Sequence, residues 1–245
     1  MINKLFDRFG LQIVRKKEAL IPKDFLKKYY RDLKKLQEKS CEFEIFEFLH
    51  YDIGTHPHNH VDFECEFSAK HVSKTKPETI LDIGSYRHFI LGLLSHYKVA
   101  TIDIRERKPF IDNEIVITCD AKKIDADDNS YDVVLSLCAL EHFGLGRYGD
   151  DFDINADKTA FQEFIRVLKP NGYLVFSTTI TNASPSIGFN GCRIYNYKMI
   201  QNFCNGWTCV DEMFWSHKNQ RCCKLDEVTT EKRVYDIYCG CWQKK

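Results

Sequence analysis

Five short apolar runs alternate with helix-forming stretches in the later part of the chain, and this pattern constrains the fold most. Short apolar runs separated by helices are typical of parallel strands that are buried on both faces. A sheet assembled in this way is doubly wound, with helices on both sides. The predicted strands are 79–83, 98–104, 114–119, 131–137 and 172–179, with clear helices at 86–96 and 157–168.

The region before the first strand has a different character. A length of 245 residues suits one sizeable domain with an extension. We predict a domain over 77–245 and a helical extension or lid over 1–76. From Pro22 onward apolar residues recur at helical spacing between lysines. This helix could pack on the domain or on a subunit partner, or be attracted to an anionic membrane surface or a charged glycan carrier.

Composition excludes several classes of protein. The formal net charge of zero argues against a dedicated nucleic-acid-binding protein. No run of 18 apolar residues is present, so we expect no integral membrane association. The N-terminus carries charges within its apolar part, which is unlike a signal peptide, so we expect a cytoplasmic protein. The 11 cysteines are scattered, as is typical of small buried apolar residues, and their spacing predicts no metal site.

Three alternating histidines, His56, His58 and His60, precede the domain. On an extended segment they would share one face, which is a geometry that metals use. Pro57 indicates a loop instead, and no further ligand stands at a convincing spacing. Of the two functional interpretations, we prefer that His58 or His60 reaches the active site from a lid over metal binding, and solvated loop histidines are the remaining interpretation.

Polar residues follow the predicted strands at the edge where ligands bind in such sheets. Gly84 turns the chain from the first strand into a helix, whose N-terminus suits a polar or anionic ligand. Asp103 follows the second strand, about 20 residues beyond Gly84, and suits the two ribose hydroxyls. Asp120 and Ala121 follow the third strand and could bind an adenine ring. This spacing alone does not separate NAD from other adenosine cofactors.

The ordered set of motifs resembles the class I S-adenosylmethionine (SAM)-dependent methyltransferases over about residues 78–180. The resemblance implies an α/β fold with a mostly parallel, seven-stranded sheet, a C-terminal antiparallel hairpin and SAM as cofactor. It departs from the family at Tyr86 and His88, where many members have further glycines. The motifs are Leu81-Asp82-Ile83-Gly84-Ser85, Asp103, Asp120-Ala121, Tyr131-Asp132-Val133-Val134, Leu140-Glu141-His142 and Leu168-Lys169-Pro170-Asn171-Gly172.

Site residues follow from the same resemblance. His142 would be the first candidate for a general base, because histidine is tuned to neutral pH, with His60 and His58 next. Alternatively, Glu141 and His142 only shape the cofactor pocket. The expected cofactor-binding residues are Asp82, Gly84, Ser85, Asp103, Ile104, Asp120, Ala121, Leu137 and Cys138.

A narrower resemblance lies in Gly144-Leu145-Gly146-Arg147-Tyr148-Gly149-Asp150, which is similar to a signature of methyltransferase-like proteins found near bacterial surface-glycan genes. It implies a role in polysaccharide biosynthesis and a small or glycan-linked acceptor. Arg147, Tyr148 and Arg193 are the expected substrate-binding residues, since arginine pairs well with phosphate or carboxylate. Structural turns and surface ion pairs are the alternatives.

Three hypotheses for the function remain. The favoured one is a SAM-dependent O-methyltransferase acting on a small polar acceptor such as a sugar, with a homodimer left open. The second is an NAD-dependent Rossmann oxidoreductase, which would share Gly84 and Asp103 but lacks the G-x-G-x-x-G motif. The third is a non-catalytic, methyltransferase-like binding subunit.

Overall fold

The computed structural model describes residues 21–38, 42–51 and 59–245, which fall into two units divided after Pro57. In the first unit, α1 spans Lys23–Gln37. The ring of Phe25 on this helix packs edge-on against Tyr51, with ring centroids 4.7 Å apart. The predicted amphipathic helix begins directly after Pro22. Proline suits the start of a helix because it has no N–H that would need a hydrogen-bond partner there.

The second unit is organised around an eight-stranded sheet with the order β3-β2-β1-β4-β5-β10-β8-β9. The first five strands in this order are parallel, and β10 runs antiparallel between β5 and β8. The predicted fold class is confirmed, with the short edge strand β9 added to the seven expected strands. The sheet strands are β1 Ile80–Ile83, β2 Val99–Asp103, β3 Glu114–Thr118, β4 Tyr131–Leu137, β5 Leu168–Ile180, β8 Thr208–Ser216, β9 Arg221–Cys223 and β10 Asp236–Gln243; β6 Ser186–Gly188 and β7 Cys192–Ile194 form a separate hairpin.

Helices cover both faces of this sheet. Alternate residues of β1 enter different apolar clusters, because successive side chains of a strand point to opposite faces. Leu81 lies in the cluster that includes Phe161 and Phe164, and Ile80 lies in the cluster that includes Phe67 and Ile90. The helices of this unit are α2 His60–Thr75, α3 Arg87–Leu94, α4 Ala156–Val167 and α5 Tyr197–Phe203, with short 3-10 helices at Leu140–His142 and Leu225–Glu227.

Helix α2 belongs to the second unit, although the sequence suggested an extension up to residue 76. Asn59 and Asp62 form a capping box, in which Asn59 Oδ1 accepts the N–H of Val61 at 2.8 Å. The helix ends at Lys76, whose φ of 46° is left-handed, just before Pro77. Phe67 and Val72 are buried in the same cluster as strands β4, β5 and β10. The division of the chain at 76/77 stays a prediction.

None of the helices in the described part of the chain is long and apolar enough to span a membrane.

Candidate cofactor and methyl-transfer site

A pocket opens at the carboxyl edge of β1, β2 and β4 and encloses about 790 Å³ of space, part of it open to solvent. The predicted cofactor residues that line it are Gly84, Asp103, Ile104, Asp120, Ala121 and Cys138, together with the predicted substrate residue Tyr148.

The turn after β1 requires glycine. Gly84 has a φ of 72°, and a Cβ atom there would lie 3.0 Å from the Cβ of Ala139 across the pocket. Asp82 accepts the N–H of Ser85 at 3.1 Å, and Ser85 Oγ accepts the N–H of Leu137 at 3.1 Å. Burial raises the pKa of Asp82 to about 6. Asp82, Ser85 and Leu137 thus lie behind the pocket wall and fix the turn, while Gly84 itself faces the cavity.

Asp103 ends β2 at the pocket, where Arg105 holds its carboxylate. Arg105 Nε donates to Oδ1 at 3.0 Å, and Nη2 donates to Oδ2 at 2.9 Å. Burial alone would raise the pKa of Asp103, but the hydrogen bonds from Arg105 outweigh it and lower the pKa below its ordinary value. Both carboxylate oxygens expected to accept ribose hydroxyls are therefore engaged by a neighbouring side chain.

The far end of the pocket combines a carboxylate with apolar walls. Asp120 Oδ1 accepts the N–H of Lys122 at 2.8 Å, which orients the carboxylate at the rim. Ile83, Ile102 and Phe143 supply apolar lining. Carboxylates for hydroxyls or an amino group, with apolar walls for a flat ring, suit adenosine. The residues present therefore fit the nucleoside part of SAM.

Tyr86, the departure from the glycine pattern, points away from the pocket. Its hydroxyl donates to Glu64 Oε2 on α2 at 2.7 Å, and Tyr86 does not line the cavity. Cys138 Sγ donates to the other oxygen of Glu64 at 2.8 Å. Glu64 is fully buried and was missed from the sequence. Its spacing of three, four and seven residues from buried Phe67, Ser68 and His71 is the signal that it faces inward.

Cys138, the first residue after β4, has a φ of 47°, which is uncommon for a residue other than glycine. Its N–H donates to Ser177 Oγ at 2.9 Å, so the neighbouring strand holds the unusual turn. Such outliers cluster at functional sites, where the surrounding structure fixes them. Here the turn exposes Cys138 to the pocket, which Gly84 and Ala139 also line.

His142 lies at the end of the 3-10 helix after β4 and has a defined tautomer. Its Nδ1 is 2.7 Å from the carbonyl oxygen of Gly191, which can only accept, so Nδ1 carries the proton. Burial lowers the pKa of His142 despite this hydrogen bond. Nε2, the unprotonated nitrogen, lies 3.8 Å from Glu141 Oε1. The imidazole is therefore neutral near pH 7 and is able to accept a proton.

Glu141 is buried beside His142. Its carboxylate accepts the hydroxyl of Thr178 at 3.1 Å. Burial raises the pKa of Glu141 to about 7, against the opposing effect of its hydrogen bonds. Nε2 of His60, the second histidine candidate, lies 4.0 Å from Glu64 Oε2, and its ring is tilted against that of His217, with centroids 5.1 Å apart. His60 is thus linked to the pocket through Glu64 and Cys138, whereas His58 lies outside the described residues.

The two predicted substrate arginines have different surroundings. Arg147 Nη1 lies 3.5 Å from the carbonyl of Gly191, and its guanidinium is 5.6 Å from the ring centroid of Tyr148. Arg193 is buried and donates to the carbonyls of Phe143, Asp153 and Ile154. This geometry favours a structural role for Arg193, which ties the loop to β7, and substrate binding by Arg193 stays a prediction. Within the described ranges, no group of three or more histidine, cysteine or acidic residues is placed to hold a metal ion.

Residues 81–176 match a family model described as a methyltransferase domain. Comparison with curated proteins found no significant match. Among solved structures, a 1,6-didemethyltoxoflavin N1-methyltransferase of Burkholderia thailandensis is similar, with S-adenosylhomocysteine (SAH) bound, 13% identity, a TM-score of 0.56, and coverage of 91% of this chain and 86% of that chain. The N-methyltransferase NodS of Bradyrhizobium japonicum, also with SAH, gives 14% identity, a TM-score of 0.52, and coverage of 88% and 98%. The [4+2]-cyclase SpnF gives 12% identity, a TM-score of 0.54, and coverage of 74% and 80%.

Residues 81–176 form a methyltransferase domain, since the family match coincides with the strands and turns that build the pocket. The fold is that of class I SAM-dependent methyltransferases, and the residues lining the pocket fit SAM as a cofactor. The structural likeness establishes the fold alone, and a cyclase shares that fold. The acceptor must therefore be argued from the site.

Proposed function

We propose that this protein transfers the methyl group of SAM to a hydroxyl of a small polar acceptor, such as a sugar or a glycan-linked group. The observation that carries the proposal is the neutral His142, whose Nδ1–H is held by Gly191 and whose Nε2 is free to accept a proton. The resemblance of residues 144–150 to proteins near surface-glycan genes supports a sugar-type acceptor in polysaccharide biosynthesis, in the cytoplasm. The proposed function is compatible with either a monomer or a homodimer.

The residues divide the work between binding and proton transfer. Gly84, Asp103 and Asp120 would hold the cofactor, and when bound SAM supplies a methyl group on an electrophilic sulfonium. The acceptor hydroxyl gives its proton to Nε2 of His142 as its oxygen gains the methyl group. Cys138 and Tyr148 form the walls between which the acceptor is aligned.

N-methylation of an amine is the second candidate, and buried Glu141 favours it. A carboxylate at this position would attract an ammonium group and take part in its deprotonation. The two candidates differ in their need for His142, because an amine acceptor that has lost its proton to solvent requires no base during the transfer.

The test is the His142→Gln variant, assayed by mass spectrometry with isotope-labelled SAM and a panel of sugars, sugar phosphates and amines. We expect a hydroxyl-bearing acceptor to be labelled, and turnover to fall by about 100-fold in the variant. SAH affinity, measured by calorimetry, should change by less than about threefold, because His142 lies outside the nucleoside end of the pocket.

His96→Gln is the matched control, since His96 is exposed on the opposite part of the fold. Near-normal turnover in His142→Gln would remove His142 as the base. Labelling of amines alone would replace the proposal with N-methylation. A wild-type protein that binds SAH but labels no acceptor in the panel would favour the binding-subunit hypothesis.

A further inference from the structure

Two arginines meet on one aromatic ring at the mouth of the pocket. The guanidinium of Arg105 lies 5.4 Å from the ring centroid of Tyr148, and that of Arg147 lies 5.6 Å from it. Tyr148 in turn packs edge-on against His142, with ring centroids 6.1 Å apart. Two cations are therefore collected on the ring that packs against the histidine proposed as the base.

The two guanidinium groups would have few carboxylate partners to neutralise their charge once the cofactor is bound. Arg147 makes only long contacts, at 3.4 Å to His142 Nδ1 and 3.5 Å to the Gly191 carbonyl. Within the described part of the chain it forms no ion pair with a carboxylate. Arg105 has one carboxylate partner, Asp103, and its side chain is 66% exposed. The backbone N–H, Nε and Nη2 of Arg105 already donate to Asp103, which leaves about one of its four acceptor positions open. Two ribose hydroxyls bound by Asp103 would therefore compete with the Arg105 side chain.

Asp150, an acidic residue close to the two arginines in the lining of the pocket, does not neutralise the charges of Arg105 and Arg147. Asp150 Oδ1 accepts the N–H of Tyr148 at 3.0 Å, and its Oδ2 accepts the N–H of Gly146 at 3.3 Å. These bonds direct its carboxylate to the loop backbone. Gly146 and Gly149 have φ values of 74° and 82°, which allow the tight turn that presents Arg147 and Tyr148 together.

We propose that Arg105 and Arg147 form a binding site for an anionic group of the methyl acceptor, a phosphate or a carboxylate, and that cofactor binding completes the site by releasing Arg105 from Asp103. Arginine pairs favour such groups because each guanidinium can donate two parallel hydrogen bonds. Because Tyr148, which both arginines contact, packs against His142, an anion held there would place the rest of a small acceptor near this histidine. The inference rests on the proposed function and specifies its acceptor as an anionic one.

Binding of the cofactor product and of the anion should therefore be coupled. By linkage, SAH raises the affinity for the anion by the factor by which the anion raises the affinity for SAH. Calorimetric titration of SAH in the presence of glucose 1-phosphate, glucuronate or glucose measures this factor. We expect at least about a fivefold gain in SAH affinity with one of the two anions and no gain with glucose. The anion that gives the gain identifies a phosphate or a carboxylate as the recognised group.

Arg105→Gln and Arg147→Gln should each reduce the gain to less than about twofold, while Arg221→Gln, on exposed β9, should keep it. SAH affinity without anion should stay equal or rise in Arg105→Gln, because a competitor for Asp103 is removed. A loss of about tenfold or more would show that Arg105 stays on Asp103 and would overturn the inference.

Equal gains with glucose, no gain with any ligand, or a gain that survives both variants would also overturn it. If SAH fails to bind the wild-type protein at all, the proposed function fails with it, and this is read from the first titration.

Discussion

The two halves of the pocket are built in different ways. The cofactor half, Gly84, Asp103 and Asp120, lies at or within two residues of the carboxyl ends of three neighbouring parallel strands. What we call the acceptor half, from the proposed function, comprises Glu64, Cys138, Glu141 and His142, of which Cys138 lines the cavity. It joins a helix before the sheet to the segment after β4, with Glu64 and Cys138 separated by 74 residues in sequence. A sheet edge places the first half by topology alone, whereas the second depends on how α2 packs.

If topology and backbone shape define the cofactor half, its most sensitive position is Gly84. We expect Gly84→Ala to weaken SAH binding by about 100-fold or more and to lower the free energy of unfolding by about 1–3 kcal/mol. Alanine would be strained at a φ of 72°, and its Cβ would lie 3.0 Å from the Cβ of Ala139. Calorimetry with SAH and urea unfolding measure the two effects.

Gly92→Ala is the matched control for that experiment. Gly92 lies within α3 with open space around a built Cβ, so alanine should stabilise the protein by about 0.5–1 kcal/mol. If the two variants bind SAH equally well, the turn after β1 does not cradle the cofactor.

Asp103 tests the charge of the cofactor half rather than its shape. Asp103→Ala should weaken SAH binding by about 30-fold, because two charge-assisted hydrogen bonds to ribose are lost while the freed Arg105 replaces none of them. Turnover at saturating SAM should change little. Asp112→Ala removes an exposed carboxylate from the loop before β3, at the other edge of the sheet, and should leave SAH binding unaltered. An equally small effect in both variants would assign the ribose to another residue.

The sequence predicted the cofactor half well because its signals are local. The strand 131–137 was predicted with its observed bounds, and the first two strands ended within one residue of Ile83 and Asp103. Each apolar run ends where the polar residue begins, so the motif and the strand end mark the same place. Upstream of the sheet the signals are weaker: the capping box of Asn59 and Asp62 that starts α2 directly follows the three alternating histidines.

The acceptor half could be predicted only in part, since its contacts are not local. His142 follows a strand and was found, but its partner Gly191 lies 49 residues further on and carries no side chain to recognise. Glu64 shares the inward face of α2, yet an acid on an apolar face gives no indication of which residues it will meet. Likewise the fork of Arg105 on Asp103 depends on side-chain rotamers, which sequence spacing does not fix.

Glu141 provides the test with the smallest expected effect. Its carboxylate is buried in the acceptor half, whereas the two carboxylates of the cofactor half lie at the rim of the pocket. Burial raises the pKa of Glu141 from 4.5 to about 7, so between these values the folded protein binds a proton that the unfolded chain has released. Stability contributed by this protonated group is complete below pH 4.5 and is lost as the pH rises through 7.

Glutamine mimics the protonated form, so Glu141→Gln should lack this loss. Between pH 5 and pH 7 the free energy of unfolding should therefore fall by roughly 2 kcal/mol more in the wild type than in Glu141→Gln. Urea unfolding at the two pH values measures the difference, with Glu106→Gln, at an exposed position, expected to behave as the wild type. Parallel pH dependence in Glu141→Gln and the wild type would mean that Glu141 is ionised in the folded protein, and the acceptor half would then present a full negative charge beside His142.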